Sequence, residues 1–408
     1  MPSYAAFLGH QPHISIAELS ASIPDFDLER VLGGEILLFR SDLNLDVGYL
    51  QTLGGTVAIA RQVDKKDLTL EDIPQVLRNE TAGVQGKVTF SLRGYGFSPR
   101  DIRNLYRACK TELRSHGRPA RYVGTESVPA ISVVLHDEGL LDGSHGCEIV
   151  LIKEGDATWV GRTVAAQDIN AYAKRDMDKP VRDTHVGLLP PKLAQILLNF
   201  GAWLVHGTVG GNAEKQITVF DPFCGTGVIP IETLLRGWNV LASDDSLKAV
   251  NACERNLEWL RKEHGIPKKE ATSKVWKQDA RKAFDLKAKP DVIVTETTLG
   301  PPLEKKAPLK EASRLKSMME DLQENFLRNV AATLPGVPVV ATWPVWYTSK
   351  GQTRLEKVWD KLHDIGFRIA IPSAVDLEVT GRPTLVYRRP GQFVGREIVM
   401  LQSTRKAS

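Results

Sequence analysis

The sequence predicts an α/β protein: a large, mostly parallel sheet in the C-terminal half, preceded by smaller α/β units. Three observations carry this. From Pro190 onward, short apolar strands alternate with helix-length segments, the order that builds βαβ crossovers and a parallel sheet. Among them the strand ITVF runs through Asp221 into a turn holding Gly225 and Gly227, and then into a helix. Residues 1–65 instead read β-α-β-β-α-β, the order of a small ferredoxin-like unit.

Residues 1–65 open with an apolar strand over Tyr4–Leu8. A helix opened by Ser15 and carrying Ile16, Leu19 and Ile23 follows, then strands near Leu28–Leu32 and at EILLFRS (35–41). A second helical stretch over Leu45–Leu53 and the strand TVAIARQV (56–63) complete the unit. Residues 66–165 form a further α/β segment. It holds the strand KVTFSLRGYG, a helix from Pro99 to about His116, the strand ARYVGTE and a hairpin over CEIVLIKEGDATWVGRTV. Ser98 can cap that helix, and Pro99 sits in its first turn, where a missing N–H costs nothing. Residues 166–189 are rich in Asp, Arg and Lys and poor in periodic apolar positions, which marks a linker. Over 190–408 the expected strands are ITVF (217–220), WNVLAS (238–243), SKVW (273–276), DVIVTE (291–296), VPVVAT (337–342), FRIAI (367–371) and TLVYRR (384–389).

Bulk properties bound the class. Of 408 residues, 42% are hydrophobic and 25% charged, which excludes wholesale disorder and allows two or three domains. The net charge of +4 and pI of about 8.7 are mildly basic, compatible with a polyanionic partner. Cys109, Cys147, Cys224 and Cys253 are scattered without C-x-x-C spacing, so neither a zinc site nor a disulfide framework is expected. No signal peptide is read at the N-terminus, and no stretch reaches the roughly 20 apolar residues of a membrane span. The expectation is a soluble cytoplasmic protein without a metal.

The turn after ITVF carries the chemistry. Glycines allow a sharp turn and let a ligand touch backbone without a Cβ in the way. The dinucleotide pattern G-x-G-x-x-G fails, because Pro230 stands at its third glycine, and no Gly-Lys-Ser/Thr follows to make a P-loop. Asp244, at the end of the next strand about twenty residues on, is placed to bind ribose hydroxyls. Asp279-Ala280 follows the strand SKVWKQ, where an Asp side chain could reach an adenine amine. A lone glycine turn could be only a tight β–α connection. Three markers in order, each at a strand's C-terminal end, indicate a nucleoside-bearing ligand at that sheet edge.

With DPFCGTGVIPIE and SDDSLKAVNACERNLEWL behind it, the chain resembles the class I S-adenosylmethionine-dependent methyltransferases that modify guanine N2 in tRNA, and most closely their THUMP-containing members. YAKRDMDKPVRDTHVGLLPPKLAQILLNFGAW resembles the family's entry segment, and LGHQPHISIAELSAS resembles its opening. The resemblance implies a Rossmann-like, seven-stranded, mostly parallel sheet with its last strand antiparallel. It also implies S-adenosylmethionine as cofactor and tRNA or another structured RNA bound partly through a THUMP-like domain. On that basis Asp221, Gly225 and Gly227 would contact the methionine part, with Phe223 and Thr226 in the same turn. Asp244 would hold the ribose and Asp279 with Ala280 the adenine, while Pro190 and Pro191 would help close the site.

The family's acceptor motif is an acid or amide, two prolines and an aromatic, and this chain departs from it with DVIVTETTLGPPL. Glu296 takes the acid's place, Thr297 and Thr298 occupy the proline positions, and Pro301-Pro302 come late. Methyl transfer from a sulfonium is an in-line displacement, so positioning and charge supply most of its acceleration. Glu296 could accept the N–H of an exocyclic amine. Trp343, Trp346 or Tyr347 could supply the missing aromatic face, unless they pack in the core or a lid.

The helix from Pro99 carries Arg103, Arg107, Lys110 and Arg114 on one stripe at about 100° per residue, with Arg118 and Arg121 extending the charge. Ile102, Leu105, Cys109 and Leu113 share another face. Such a row suits phosphate binding, and equally a solvated helix face. The resemblance inclines it towards RNA. Two other readings stand beside the RNA methyltransferase: a DNA amino-methyltransferase, and a catalytically inactive protein that keeps the fold.

Overall fold

The structure is a computed structural model that describes all residues except 65–67, 156, 183–188, 208–215, 302, 304, 375–381 and 406–408. The chain divides into two compact units. The first comprises Met1–Pro12, Asp25–Thr52 and Thr56–Ala173; the second comprises His13–Pro24, Leu53–Gly55 and Lys174–Ser408.

The N-terminal elements are β1 (Ser3–Leu8), α1 (Pro12–Ser22), β2 (Asp27–Leu32), β3 (Ile36–Arg40), α2 (Val47–Leu50) and β4 (Thr56–Gln62). This is the expected β-α-β-β-α-β order. Two boundaries differ. Helix α1 begins at Pro12, so Ser15 is no cap; its buried hydroxyl donates to the Gly55 carbonyl at 2.7 Å. The second helical stretch is the single turn α2, capped by the Asp46 side chain, because Gly48, Gly54 and Gly55 weaken any longer helix there.

There follow α3 (Ile73–Glu80), β5 (Val88–Tyr95), α4 (Pro99–Ser115), β6 (Ala120–Tyr122), α5 (Ser132–Asp137), β7 (Gly146–Glu154), β8 (Ala157–Ala166) and α6 (Ile169–Met177). The first unit's strands form one eight-stranded sheet, β2-β3-β1-β4-β8-β7-β5-β6. Alternation along β7 feeds both of its faces: Ile149 and Leu151 pack with Phe90, Leu105 and Leu113, while Val150 and Ile152 pack with Phe7, Ala58 and Trp159. Helix α4 starts as expected. Ser98 and Asp101 form a reciprocal capping box, and Ile102, Leu105, Cys109 and Leu113 are buried.

The second unit continues with α7 (Pro191–His206), β9 (Thr218–Asp221), α8 (Val228–Leu235), β10 (Asn239–Asp244), α9 (Leu247–His264), β11 (Ser273–Lys277), β12 (Val292–Glu296) and α10 (Leu309–Thr333). It ends with β13 (Val339–Thr348), β14 (Gly351–Thr353), α11 (Glu356–Asp360), α12 (Leu362–Ile365), β15 (Phe367–Ile369), β16 (Leu385–Tyr387) and β17 (Val394–Ser403). Its sheet runs β11-β10-β9-β12-β13-β17-β15, with β14 added to β13 and β16 to β17. Strands β9 to β13 are parallel, and β17 runs antiparallel to β13. Both faces are covered: Val219 packs with Leu197 of α7 and Ile14 of α1, and Phe220 packs with Phe326 of α10.

The antiparallel last strand is present but is not the expected segment. TLVYRR contributes only the short β16, and the ten-residue β17 takes the place next to β13. Strand β13 also runs beyond VPVVAT to Thr348. Among the described residues no helix is long and apolar enough to cross a membrane.

Candidate cofactor and acceptor site

The strand order of the second unit reverses at β9, which has β10 on one side and β12 on the other. Open α/β sheets leave a crevice at the C-terminal ends of strands where their order reverses. Asp221 ends β9, Asp244 ends β10 and Glu296 ends β12, so these carboxylates gather at one edge.

The two glycines of the turn have different tasks. Gly225 (φ +50°) would point a Cβ into open space, while Gly227 (φ +89°) would drive one to 2.7 Å from Cys253 Sγ on α9. The first leaves backbone accessible to a ligand, and the second lets α8 and α9 pack closely. Between them the Thr226 carbonyl accepts the Asn256 side-chain amide at 2.8 Å. The Gly225 N–H donates to Asp244 Oδ2 at 3.0 Å and the Ser246 N–H to Oδ1 at 2.9 Å. Each oxygen has a second lone pair, so Asp244, half-buried, can still accept from hydroxyls.

Asp221 is buried and accepts from the Thr295 hydroxyl at 2.6 Å and the Phe223 N–H at 3.2 Å. Burial pushes its carboxyl up to about 7, and the charges of Asp244 and Glu296 push the same way. Its neighbour Phe223 meets Phe326 edge-on, with centroids 5.2 Å apart.

Glu296 keeps 15% of its side chain exposed and accepts from Arg396 Nε at 2.5 Å. Its carboxyl lies above the usual carboxylate range: burial pushes it up, and the charge and hydrogen bond of Arg396 offset only part of that. Sequence reasoning missed Arg396. Its signal was a charged pair, Arg396-Glu397, inside the apolar run FVGREIVML, since a buried charge requires a partner. Behind Glu296, the Thr297 hydroxyl donates to the Thr342 carbonyl and accepts from the Gln323 amide, each at 2.7 Å. Thr297 therefore anchors this loop to β13 and α10.

Other expected groups fall differently. Asp279 is held in a bidentate pair by Arg281, at 2.9 and 2.8 Å, which lowers its carboxyl to about 2; an adenine amine would have to share that carboxylate. Ala280 is buried, and its carbonyl accepts from Asn329. Pro190 precedes the first turn of α7, and Pro302 lies outside the described residues. Trp343 and Trp346 are fully buried in the core beside Phe326, so neither offers a stacking face; the apolar area of their rings is buried even though neither indole N–H has a hydrogen-bond partner among the described residues. Tyr347 remains partly exposed, with the Arg388 guanidinium 3.7 Å over its ring.

In the first unit, Arg103, Arg107 and Arg114 are exposed on α4, and Lys110 lies over the Tyr106 ring at 5.4 Å. Arg103 also meets Glu126 in an exposed pair at 3.1 Å. Arg118 and Arg121 do not extend the row. Arg118 donates to the carbonyls of Thr81 and Val84, and Arg121 pairs with Glu138, because both follow the helix where backbone and acid partners are near.

Comparison with known proteins gives the same fold. Residues 207–330 match the family described as Conserved hypothetical protein 95. No curated protein matches the chain. Among solved structures, TrmN from Thermus thermophilus aligns over 98% of this chain and 99% of its own, at 17% identity and a TM-score of 0.52. A possible methylase from Clostridium difficile 630 aligns over 100% and 99%, at 10% identity and a TM-score of 0.47. The likeness is one of fold: a Rossmann-like class I methyltransferase sheet preceded by an N-terminal region resembling that of TrmN.

Proposed function

We propose that the protein is an S-adenosylmethionine-dependent RNA methyltransferase acting on an exocyclic base amine, with guanine N2 of tRNA as its target. The observation that carries this reading is the convergence of the glycine turn, Asp244 and Glu296 on adjacent strand ends where the sheet order reverses. The residues fit the cofactor: the open side of Gly225 admits it, Asp244 offers acceptors to ribose hydroxyls, and the acidic edge favours a cation. Bound there, the cofactor supplies an electrophilic methyl group.

The protein's own part is placement and charge. Glu296 accepts one N–H of the amine, which orients the lone pair and stabilises the positive charge as it forms. The base must leave its stack to reach this edge. The row Arg103, Arg107, Lys110 and Arg114 on the THUMP-like segment captures the RNA through its phosphates. One observation favours a second reading, a protein that has kept the fold without the reaction: Trp343 and Trp346 are both buried, so neither indole can stack an extruded base. Incubation with methyl-labelled cofactor and either total tRNA or DNA separates the readings. Label in tRNA supports the enzyme proposed here, label in DNA supports an amino-methyltransferase of DNA, and cofactor binding without label supports the silent protein.

A further inference from the structure

Arg396 is a buried guanidinium, 3% exposed, on the long last strand, and it reaches across to the acid at the end of β12. We infer that Arg396 is a positioning residue for the acceptor carboxylate: it grips one oxygen of Glu296 and leaves the other to receive the substrate's N–H. The inference rests on the function proposed above.

Geometry supports it from both sides of the pair. Arg396 Nε donates to Glu296 Oε1 at 2.5 Å, and Oε2 has no hydrogen-bond partner among the described residues. The backbone of Arg396 is fixed in the ladders, opposite Pro344 of β13 and Tyr387 of β16. Its guanidinium is therefore presented by rigid strands, as a group that must aim another requires. The next residue does not compete for it: Glu397, fully buried, is satisfied by Arg354, Arg382 and Thr384.

Electrostatics gives the pair a second task. Glu296 shares its edge with Asp221 of β9 and, beyond it, Asp244 of β10, and it is itself largely buried. A third carboxylate in that place would take up a proton, and a neutral carboxyl cannot stabilise a cationic amine. The fixed charge of Arg396 opposes this. A buried guanidinium with a carboxylate partner is also less costly than either ion alone, so a purely structural pair is the alternative the test must exclude.

The test uses the full chain with ¹³C-labelled glutamate carboxyls, the Glu296 signal being assigned by its loss in Glu296→Gln. In Arg396→Gln the Glu296 titration is expected to move up by roughly 1–3 pH units. The acid limb of the rate profile for RNA methylation should move with it, while affinity for S-adenosylhomocysteine stays unchanged. Should Arg396→Gln fail to fold, Arg396→Lys decides: it keeps the charge but lacks the planar fork, so Glu296 should titrate near its parent range while turnover falls at unchanged KM. A Glu296 titration unmoved in folded Arg396→Gln, or parent kinetics in Arg396→Lys, overturns the inference. A parent protein that methylates no RNA defeats the proposed function instead, and the titration still shows whether Arg396 holds Glu296 ionised.

Discussion

The Glu18 carboxylate accepts a 2.6 Å hydrogen bond from the side-chain amide of Asn199, 181 residues away in sequence. The same carboxylate accepts the N–H groups of Gly54 and Gly55 at 2.8 and 2.7 Å, and Asn199 in turn accepts from Arg236 at 2.6 Å. Helix α1 and residues 53–55 are thereby built into the second unit. Glu18→Ala would leave these buried donors without an acceptor, at a cost of about 3–5 kcal/mol of stability. Urea denaturation measures it, and a loss below 1 kcal/mol would contradict the network.

Glu18 also sets a pH dependence. Burial raises its carboxyl from the ordinary value of 4.5 to about 7, against the pull of the two glycine N–H groups, Asn199 and Arg236. The neutral form therefore favours the fold. That contribution is full below about 4.5 and is lost as pH climbs through about 7. Across this window the parent should lose up to about 3 kcal/mol from this group. The deficit of Glu18→Gln relative to the parent should be greatest near pH 4.5 and shrink towards pH 7.5, as read from thermal melts.

The two glycines of the turn should separate cleanly. Alanine at either position costs about 1–2 kcal/mol for the left-handed backbone. Only Gly227→Ala adds a clash with Cys253, worth a further 1–3 kcal/mol or so. Gly225→Ala should lose only that backbone cost yet bind S-adenosylhomocysteine poorly, because its new methyl enters the open side of the turn. Calorimetry beside a thermal melt checks both.

Asp244→Ala should weaken S-adenosylhomocysteine by about 1.5–3 kcal/mol, the worth of charge-assisted hydrogen bonds to ribose. Part of the loss would come from the Gly225 N–H that Asp244 now holds. Unchanged affinity in a folded variant would remove Asp244 from the site.

Much of this fold could be read in the sequence because its signals are local. ITVF followed by Gly225 and Gly227, and the acid after WNVLAS, need only neighbouring residues to be understood. Strand β17 was hidden because Arg396 and Glu397 interrupt its apolar run. Their neutralising partners Glu296, Arg354 and Arg382 lie 100, 43 and 15 residues away. The place of α1 was hidden for the same reason: its buried Glu18 looks like a surface acid until Asn199 and Gly54 are seen beside it. In ATWPVWYT, residue type showed large aromatics, but only the packing of α10 on β13 decided that Trp343 and Trp346 belong to the core.

Replacing Arg103, Arg107 and Lys110 by Gln should reduce RNA affinity and flatten its salt dependence. The slope of log K against log salt should fall by roughly 0.7–0.9 for each phosphate no longer neutralised. Cofactor affinity should not change. An unaltered slope would make the row a solvated helix face.

The central claim, that Glu296 receives a base amine beside a methyl donor, is tested most directly by single-turnover transfer of labelled methyl to tRNA, with nucleosides identified by mass spectrometry. The expected product from the parent is guanosine labelled on N2. Glu296→Gln, which keeps the size but loses the charge, should slow transfer by a factor on the order of 10²–10³ with S-adenosylhomocysteine affinity nearly unchanged. Full activity in Glu296→Gln, or no labelled nucleoside from the parent on any RNA, would contradict it.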